Sequence, residues 1–251
     1  MTAPPDEVLF EVPAPPSTVE RLLDLAAHFT QHNDTLDIVL GRADQPASDA
    51  HAASARRLAS ATGAAVKAIH GEQLYESPEL SDALVRLGQL AYLSAASADH
   101  GPRPARALTA LAPEAVVDCA AQVAAEIRRR RWNTSAPPDQ RLTDAQCTAL
   151  KEIARGHIVV TGSLGRQYVH SRQTRVLIST LRSLESHNLA DRRPRSASPA
   201  HLGGPPQDRV LLTPAGTRAV ASILPLSPAT EAEPAPAARP AASAQAVHRN
   251  R

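Results

Sequence analysis

The sequence predicts a mainly α-helical protein, with an N-terminal helical bundle followed by a smaller basic domain. Aromatic residues are 2% of the 251 residues and hydrophobic residues 43%. The interior must therefore be built from Ala, Leu, Val and Ile, a composition that favours closely packed helices. Apolar stripes at helical spacing recur along the chain, and the balance of charge changes sign near residue 140.

Capping signals and apolar stripes predict four helices in the N-terminal part. Ser17 and Glu20 form a capping box, and Ser77 followed by Pro78 is typical of a helix start. Two further helices follow Pro46 and Pro113, and residues 101–104 break the chain between them. The inward-facing residues predicted for the four helices are Val19, Leu22, Leu23, Ala26 and Phe29; Leu58, Ala61, Ala65 and Ile69; Leu80, Leu84, Leu87 and Ala91; and Val116, Ala120, Val123 and Ile127.

The distribution of charge divides the chain into three parts. Residues 1–139 hold 12 Lys/Arg and 18 Asp/Glu (net −6), whereas residues 140–224 hold 12 and 5 (net +7). A linker rich in proline and small polar residues at 133–138 separates these two predicted domains. Residues 225–251 are mostly Ala and Pro, and we expect them to be disordered because they cannot bury enough apolar surface. Segregated basic charge in residues 140–224 favours a polyanionic partner.

The basic domain begins with a second capping box, Thr143 with Gln146, and its first helix should run to about Arg155 before Gly156 ends it. The runs 157–161 and 167–170 are β-branched and aromatic, but their pattern leaves open whether they form a hairpin, an irregular turn or a helix. A strong helical pattern covers residues 173–188, and Thr213 caps a last helix after a short strand. In the 173–188 helix Leu177, Leu181, Leu184 and Asn188 mark one face, whereas Arg175, Ser179, Arg182, Ser183 and Ser186 lie on the other.

The order of elements in residues 140–224 resembles that of winged-helix regulators of the MarR and PadR type. In those proteins a recognition helix, a turn after a Leu-Glu pair, an arginine-bearing β-wing and a strand ending in Leu-Thr before a glycine follow one another. The matching pieces here are the 173–188 helix, residues 184–189, residues 192–209 and residues 212–216. The resemblance covers about one third of the chain and implies a winged helix-turn-helix domain. Two features depart from the pattern: residues 157–170 replace the second helix, and the wing is long and proline-rich.

The resemblance implies double-stranded DNA as the partner, with the recognition helix in the major groove and the wing on the minor groove or backbone. Because such regulators read paired half-sites, it also implies a homodimer, for which residues 113–131 are a candidate interface helix. The predicted DNA-binding residues are Arg172, Gln173, Thr174, Arg175, Ser179, Arg182, Ser183, Arg192, Arg193 and Arg195.

Two other classes of function stay open at this point. A protein-interaction adaptor could use the same winged helix to bind protein, and an enzyme could have its active site in the N-terminal domain. No acid–base pair or nucleophile motif is identifiable, so we predict no enzyme activity, no catalytic residue and no cofactor. An effector or protein partner of the N-terminal domain is also possible within this scheme.

Asp24, His28 and His32 stand four residues apart and could share one helical face, but no further ligand is identifiable, so we predict no metal site. We expect them on the polar face opposite the apolar stripe. Cys119 and Cys147 are far apart, with no CxxC pair. Neither a signal peptide nor a long apolar span is identifiable, so we expect a cytoplasmic protein without a membrane anchor.

Overall fold

A computed structural model describes residues 15–41, 50–130, 142–163, 166–199 and 204–224. The predicted linker at 133–138 and the predicted disordered tail at 225–251 lie outside the described residues. We refer to residues 15–130 as the N-terminal half and to residues 142–224 as the C-terminal half.

The described residues form eight helices and one antiparallel sheet. Among the described residues, every element of the N-terminal half is a helix, and the C-terminal half interleaves three helices with four strands. The helices are α1 (Thr18–Leu40), α2 (Ala50–Gly71), α3 (Pro78–Ser97), α4 (Pro102–Thr109), α5 (Ala112–Arg130), α6 (Asp144–Ala154), α7 (Ile178–Ser186) and α8 (Pro214–Ile223). The strands are β1 (Val159–Ser163), β2 (Arg166–His170), β3 (Ala190–Ala197) and β4 (Gln207–Leu212).

The four helix starts that were predicted from capping residues are confirmed. Ser17 caps α1 and Thr143 caps α6, each in a complete capping box. Ser77 and Thr213 cap α3 and α8, with a proline in the first turn of both helices. These side chains satisfy backbone N–H groups that have no partner inside their own helix.

Helix α5 lies in the interior of the N-terminal half. Val116, Val117, Ala120 and Val123 are completely buried, and α5 packs between α1 and α3. Little of α5 is left on the surface for a dimer interface, contrary to the suggestion made from the sequence. Homodimerisation itself stays a prediction.

The stretch Pro102–Arg130 passes a test of length and composition for a membrane-spanning helix, with a mean hydropathy of 1.2 in its most apolar window. This stretch comprises α4 and α5, and half of that window is buried inside the protein. A core helix of a folded bundle passes the same test.

The sheet has the strand order β2-β1-β4-β3, and every neighbouring pair is antiparallel. Strands β1 and β2 form a hairpin in which Val159 pairs with His170 and Thr161 pairs with Tyr168. The pattern at 157–170, which the sequence left open, is therefore a hairpin. The sheet packs one face on α6, α7 and α8 through buried residues such as Val160 and Val210.

One apolar core joins the two halves, and it includes Phe29 and Val123 from the first and Leu150 and Val220 from the second. Gly156 allows a close approach at this junction. Its φ is +74°, and a Cβ placed on it would lie 2.4 Å from Thr30 Oγ1 in α1. Only glycine combines that backbone conformation with so little space.

Two elements differ from the prediction. A short helix, α4, begins at Pro102 where a simple break was expected. Helix α7 begins at Ile178 and not at residue 173, because Leu177 is its N-cap with extended backbone angles. Val176 is buried in place of Leu177, which is 53% exposed. The left-handed conformation predicted for Asn188 after this helix is confirmed by its φ of +55°.

Replacing Gly216 with alanine should destabilise the protein by about 3 kcal/mol, the upper end of the cost of overpacking. A Cβ on Gly216 would lie 1.9 Å from the backbone oxygen of Leu189, which cannot move as a flexible side chain could. Urea unfolding measures the change. Gly88→Ala is the matched control, because Gly88 lies in α3 with nothing within 4 Å of its Cβ position. That control should be neutral or slightly stabilising, and equal effects of the two substitutions would contradict the packing of α8 described here.

Candidate nucleic-acid interface

Helix α7 presents two different faces. Leu181 and Leu184 are completely buried in the core, whereas Ser179 and Arg182 are exposed. Ser183 is half-buried and accepts a hydrogen bond from Gln146 Nε2 at 3.1 Å. The amphipathic division predicted for this helix is therefore present from Ile178 onward.

The residues before α7 form a connecting segment, 171–177, without helical or strand structure. Gln173, Thr174 and Arg175 lie in this segment and are exposed. Their predicted place in the first turn of the recognition helix is wrong. They lie next to the N-terminus of α7, where the chain enters the helix.

Arg175 and Arg182 lack carboxylate partners. Residues 157–184 contain four arginines and no Asp or Glu. Within the described part of the chain Arg175 makes no ion pair or side-chain hydrogen bond, and Arg182 donates only to Gln167 Oε1, at 3.3 Å. An exposed guanidinium with unused N–H groups is suited to bind phosphate oxygens.

The arginines of the predicted wing are less available. Arg192 forms a two-bond ion pair with Glu185 of α7, and its side chain is 18% exposed. Arg193 donates to Gln31 of α1 at 3.0 Å. Arg195 is exposed, with a φ of +53°, and its backbone N–H donates to Asp208 Oδ1 at 2.9 Å. Of the three predicted contacts, Arg195 is the one whose guanidinium is not engaged in the described structure.

Arg172 belongs to a group of charged residues that connects the two halves. We call this group the connecting cluster, and its members are Asp34, Glu114, Glu152, His157, Arg172 and Arg209. It borders a cavity of about 170 Å³ between α1, α4, α5 and the C-terminal half.

Within the connecting cluster, Arg172 Nη1 donates to Glu114 Oε1 in α5 at 2.5 Å. His157 is buried, with Nδ1 3.1 Å from Glu152 Oε2 and Nε2 3.0 Å from Glu114 Oε1, although the second contact lacks hydrogen-bond geometry. Arg172 thus anchors the start of the connecting segment to the N-terminal half.

A largely buried ion pair of the connecting cluster joins Arg209 of β4 to Asp34 of α1. Arg209 Nε donates to Asp34 Oδ2 at 2.8 Å, Nη2 donates to Oδ1, and Nη1 donates to the Gly156 carbonyl. Burial raises the pKa of Asp34 above its ordinary value, while the Arg209 guanidinium opposes that rise. The pair fixes the sheet on α1 and leaves neither charge free for a ligand.

The prediction from sequence omitted the exposed residues of β2. Arg166, Tyr168 and His170 alternate along this strand, and all three are exposed. Alternation of exposed cationic and aromatic residues at a spacing of two could have identified them, had the hairpin been assigned from the sequence.

Among the described residues no group of three His, Cys, Asp or Glu side chains could hold a metal ion. Asp24 and His28 are exposed, but His32 is 3% exposed, with Nδ1 3.0 Å from Ser54 Oγ of α2. The expectation that His32 lies on a solvated face is therefore wrong. Burial lowers the pKa of His32 to about 4, with a further contribution from His51 and Arg106.

The buried His32 should make the protein sensitive to mild acid. The pKa of His32 in the folded protein is about 4, below its ordinary value of 6.5. Its contribution to the stability of the fold is therefore fully present above pH 6.5 and is lost as the pH falls toward 4. Because protonation is linked to unfolding, the free energy of unfolding should fall by about 2 kcal/mol between pH 7 and pH 5. Urea unfolding of wild type and His32→Gln at both pH values measures it. On acidification His32→Gln should lose less stability than wild type. His28→Gln is the control and should lose as much as wild type. Equal losses in all three proteins would contradict the lowered pKa of His32.

Comparison with known proteins gives no assignment. No family model, no curated protein and no solved structure matches the chain. The function has to be inferred from the geometry of the interface.

Proposed function

We propose that the protein is a DNA-binding transcriptional regulator that uses the surface around α7 to bind duplex DNA. The observation that carries the proposal is the pair Arg175 and Arg182, exposed and without carboxylate partners, in a stretch of 28 residues that lacks Asp and Glu. Elsewhere Arg106, Arg155 and Arg209 are paired with carboxylates. Unpaired positive charge on α7 and on the segment that leads into it, beside the hydroxyl groups of α7, suits a phosphate backbone.

The topology supports the same proposal. The C-terminal half runs helix, strand, helix, strand and strand from α6 through α7 to β4, with β2 inserted after β1. Strand β1 lies beside β4, and α7 packs on the sheet ahead of the β3–β4 hairpin. This order supports the resemblance to a winged helix, with a strand in the place of the second helix. Docking through α7 and its preceding segment, with Arg195 near the end of β3, is the arrangement we favour.

Binding of random-sequence duplex at several salt concentrations tests the proposal. We expect a dissociation constant on the order of 10⁻⁶ to 10⁻⁴ M for non-specific DNA at physiological salt, with steep weakening as salt increases. A plot of log affinity against log salt should have a slope of −2 or steeper if at least two or three phosphates are neutralised. The absence of binding at low salt, or binding that does not change with salt, would contradict the proposal.

The alternative is a protein-interaction adaptor, and one observation favours it. Leu177 and Tyr168 are 53% and 48% exposed, close in sequence to the unpaired arginines. Apolar side chains on a surface are typical of protein interfaces as well. An adaptor would show no salt-dependent affinity for duplex DNA, so the same titration separates the two functions.

A further inference from the structure

The β1–β2 hairpin has a free edge and a free face. In the part of the chain that the structure describes, strand β2 pairs only with β1 and ends the sheet on that side. Tyr168 stands opposite Thr161 and His170 opposite Val159, so Arg166, Tyr168 and His170 project from the same face. All three side chains are exposed, and Tyr168 is 48% exposed.

The opposite face of the same strand contacts α7. Val169 packs on the apolar core, and Gln167 Oε1 accepts the hydrogen bond from Arg182. The hairpin is therefore held against the helix that carries Arg182. Arg166 and Tyr168 project from the face turned away from α7, so a duplex that lies on α7 reaches them by extending past the edge of β2.

The arginines of the β3–β4 hairpin are mostly bonded to other parts of the protein. Arg193 and Arg209 stand opposite each other in the register and both bond to α1, through Gln31 and Asp34. Arg192, on the other face, is paired with Glu185. The strands that contact DNA in a winged helix therefore carry few arginines that are free of other bonds. Strand β2, in contrast, exposes the side chains of Arg166, Tyr168 and His170, and the surrounding sequence contains no Asp or Glu.

From these contacts we infer that the β1–β2 hairpin is a second DNA-binding arm, which contacts the phosphate backbone beside α7 through Arg166 and Tyr168. This inference rests on the proposed function, since it names a further part of the same interface. Arg166 supplies the ionic contact and Tyr168 a hydroxyl donor on a rigid ring. His170 Nε2 is 2.8 Å from Thr161 Oγ1, so its imidazole is partly engaged within the hairpin.

The test compares full-length variants in a salt titration with one fluorescent duplex. Arg166→Ala should reduce the log–log salt slope by about 0.9, the value for one lost phosphate contact, and Arg166→Lys should restore it. Tyr168→Phe should weaken binding without changing the slope, because it removes a neutral donor. Arg166→Ala with Tyr168→Ala should weaken binding about tenfold.

The matched controls are Arg103→Ala and Tyr92→Ala, which remove an exposed arginine and an exposed tyrosine of the N-terminal half. Neither control should change the affinity or the salt slope by more than the experimental error.

The outcomes separate the arm from the proposed function. If the hairpin variants bind as wild type does while Arg175→Ala with Arg182→Ala loses binding, the arm is overturned and the α7 interface stands. If wild type itself does not bind duplex, both fall. Thermal melting of each variant shows whether it is folded, and a Tyr168→Phe variant that melts like wild type allows the same decision if an alanine variant does not fold.

Discussion

Replacement of Arg175 and Arg182 together by alanine is expected to weaken duplex binding about 100-fold at moderate salt and to leave thermal stability nearly unchanged. Each arginine that contacts DNA contributes about 1–3 kcal/mol, and about 1.4 kcal/mol from each of two contacts gives the 100-fold loss. Neither side chain supports the fold, since Arg175 is exposed without a bond in the described structure and Arg182 makes one bond of 3.3 Å.

The charge-matched control is Arg57→Ala with Arg103→Ala. Both residues are exposed in the N-terminal half, so this variant loses the same charge as the first. If net charge alone drove binding, both double variants would weaken it alike. We expect only the first to do so, with a salt slope reduced by about 2. Similar losses in both variants would mean that the interface is not at α7.

The second large effect concerns the junction of the halves. Arg209→Met should lower the free energy of unfolding by about 3–5 kcal/mol, because it leaves the buried Asp34 carboxylate without its partner. The side chains of Asp34 and Arg209 are 7% and 13% exposed, so solvent screens this pair little. Denaturant unfolding measures the loss.

The pH dependence of that loss has a defined sign. Without Arg209 the burial that raises the pKa of Asp34 loses its main opponent, and only the weaker effect of Arg106 still lowers that pKa. A carboxyl whose folded pKa is raised contributes stability that is complete below its unfolded pKa and is lost as the pH rises through the folded value. The deficit of Arg209→Met should therefore be larger at pH 7 than at pH 5.

Two controls accompany the Arg209 experiment. The Arg56–Asp99 pair is 3.9 Å long with both side chains more than 60% exposed, so Arg56→Met should be within error of wild type. A double-mutant cycle with Asp34→Asn should show strong coupling, because the asparagine carries no charge to be left unpaired. Additive effects of the two substitutions would contradict a direct pair.

Much of the local structure could be predicted because it is encoded over a few residues. The Ser17 and Thr143 capping boxes place the starts of α1 and α6, and Asn188 takes the left-handed conformation that its position after α7 indicated. Helix α7 was predicted too long because leucine spacing continues back through Leu177, while the backbone there is extended. Periodicity reports which side chains could share a face and not where the helix begins.

The candidate site was predictable only in part, because partners distant in sequence decide which arginines are free. Arg192 and Arg175 look alike in a sequence, yet the first is paired with Glu185 and the second has no carboxylate beside it. The Arg193 guanidinium donates a hydrogen bond to Gln31, which lies 162 residues away in the sequence. The absence of Asp and Glu from residues 157–184 was visible in the sequence and would have directed attention to β2 as well.

The most direct test of the α7 interface is amide hydrogen exchange of the full chain with and without a 20-base-pair duplex at low salt. We predict that duplex protects the connecting segment 171–177 and the first turns of α7, and leaves the exchange of α2 and α3 unchanged. Protection confined to the N-terminal helices, or none in residues 171–183 at a DNA concentration that saturates binding, would contradict the central claim.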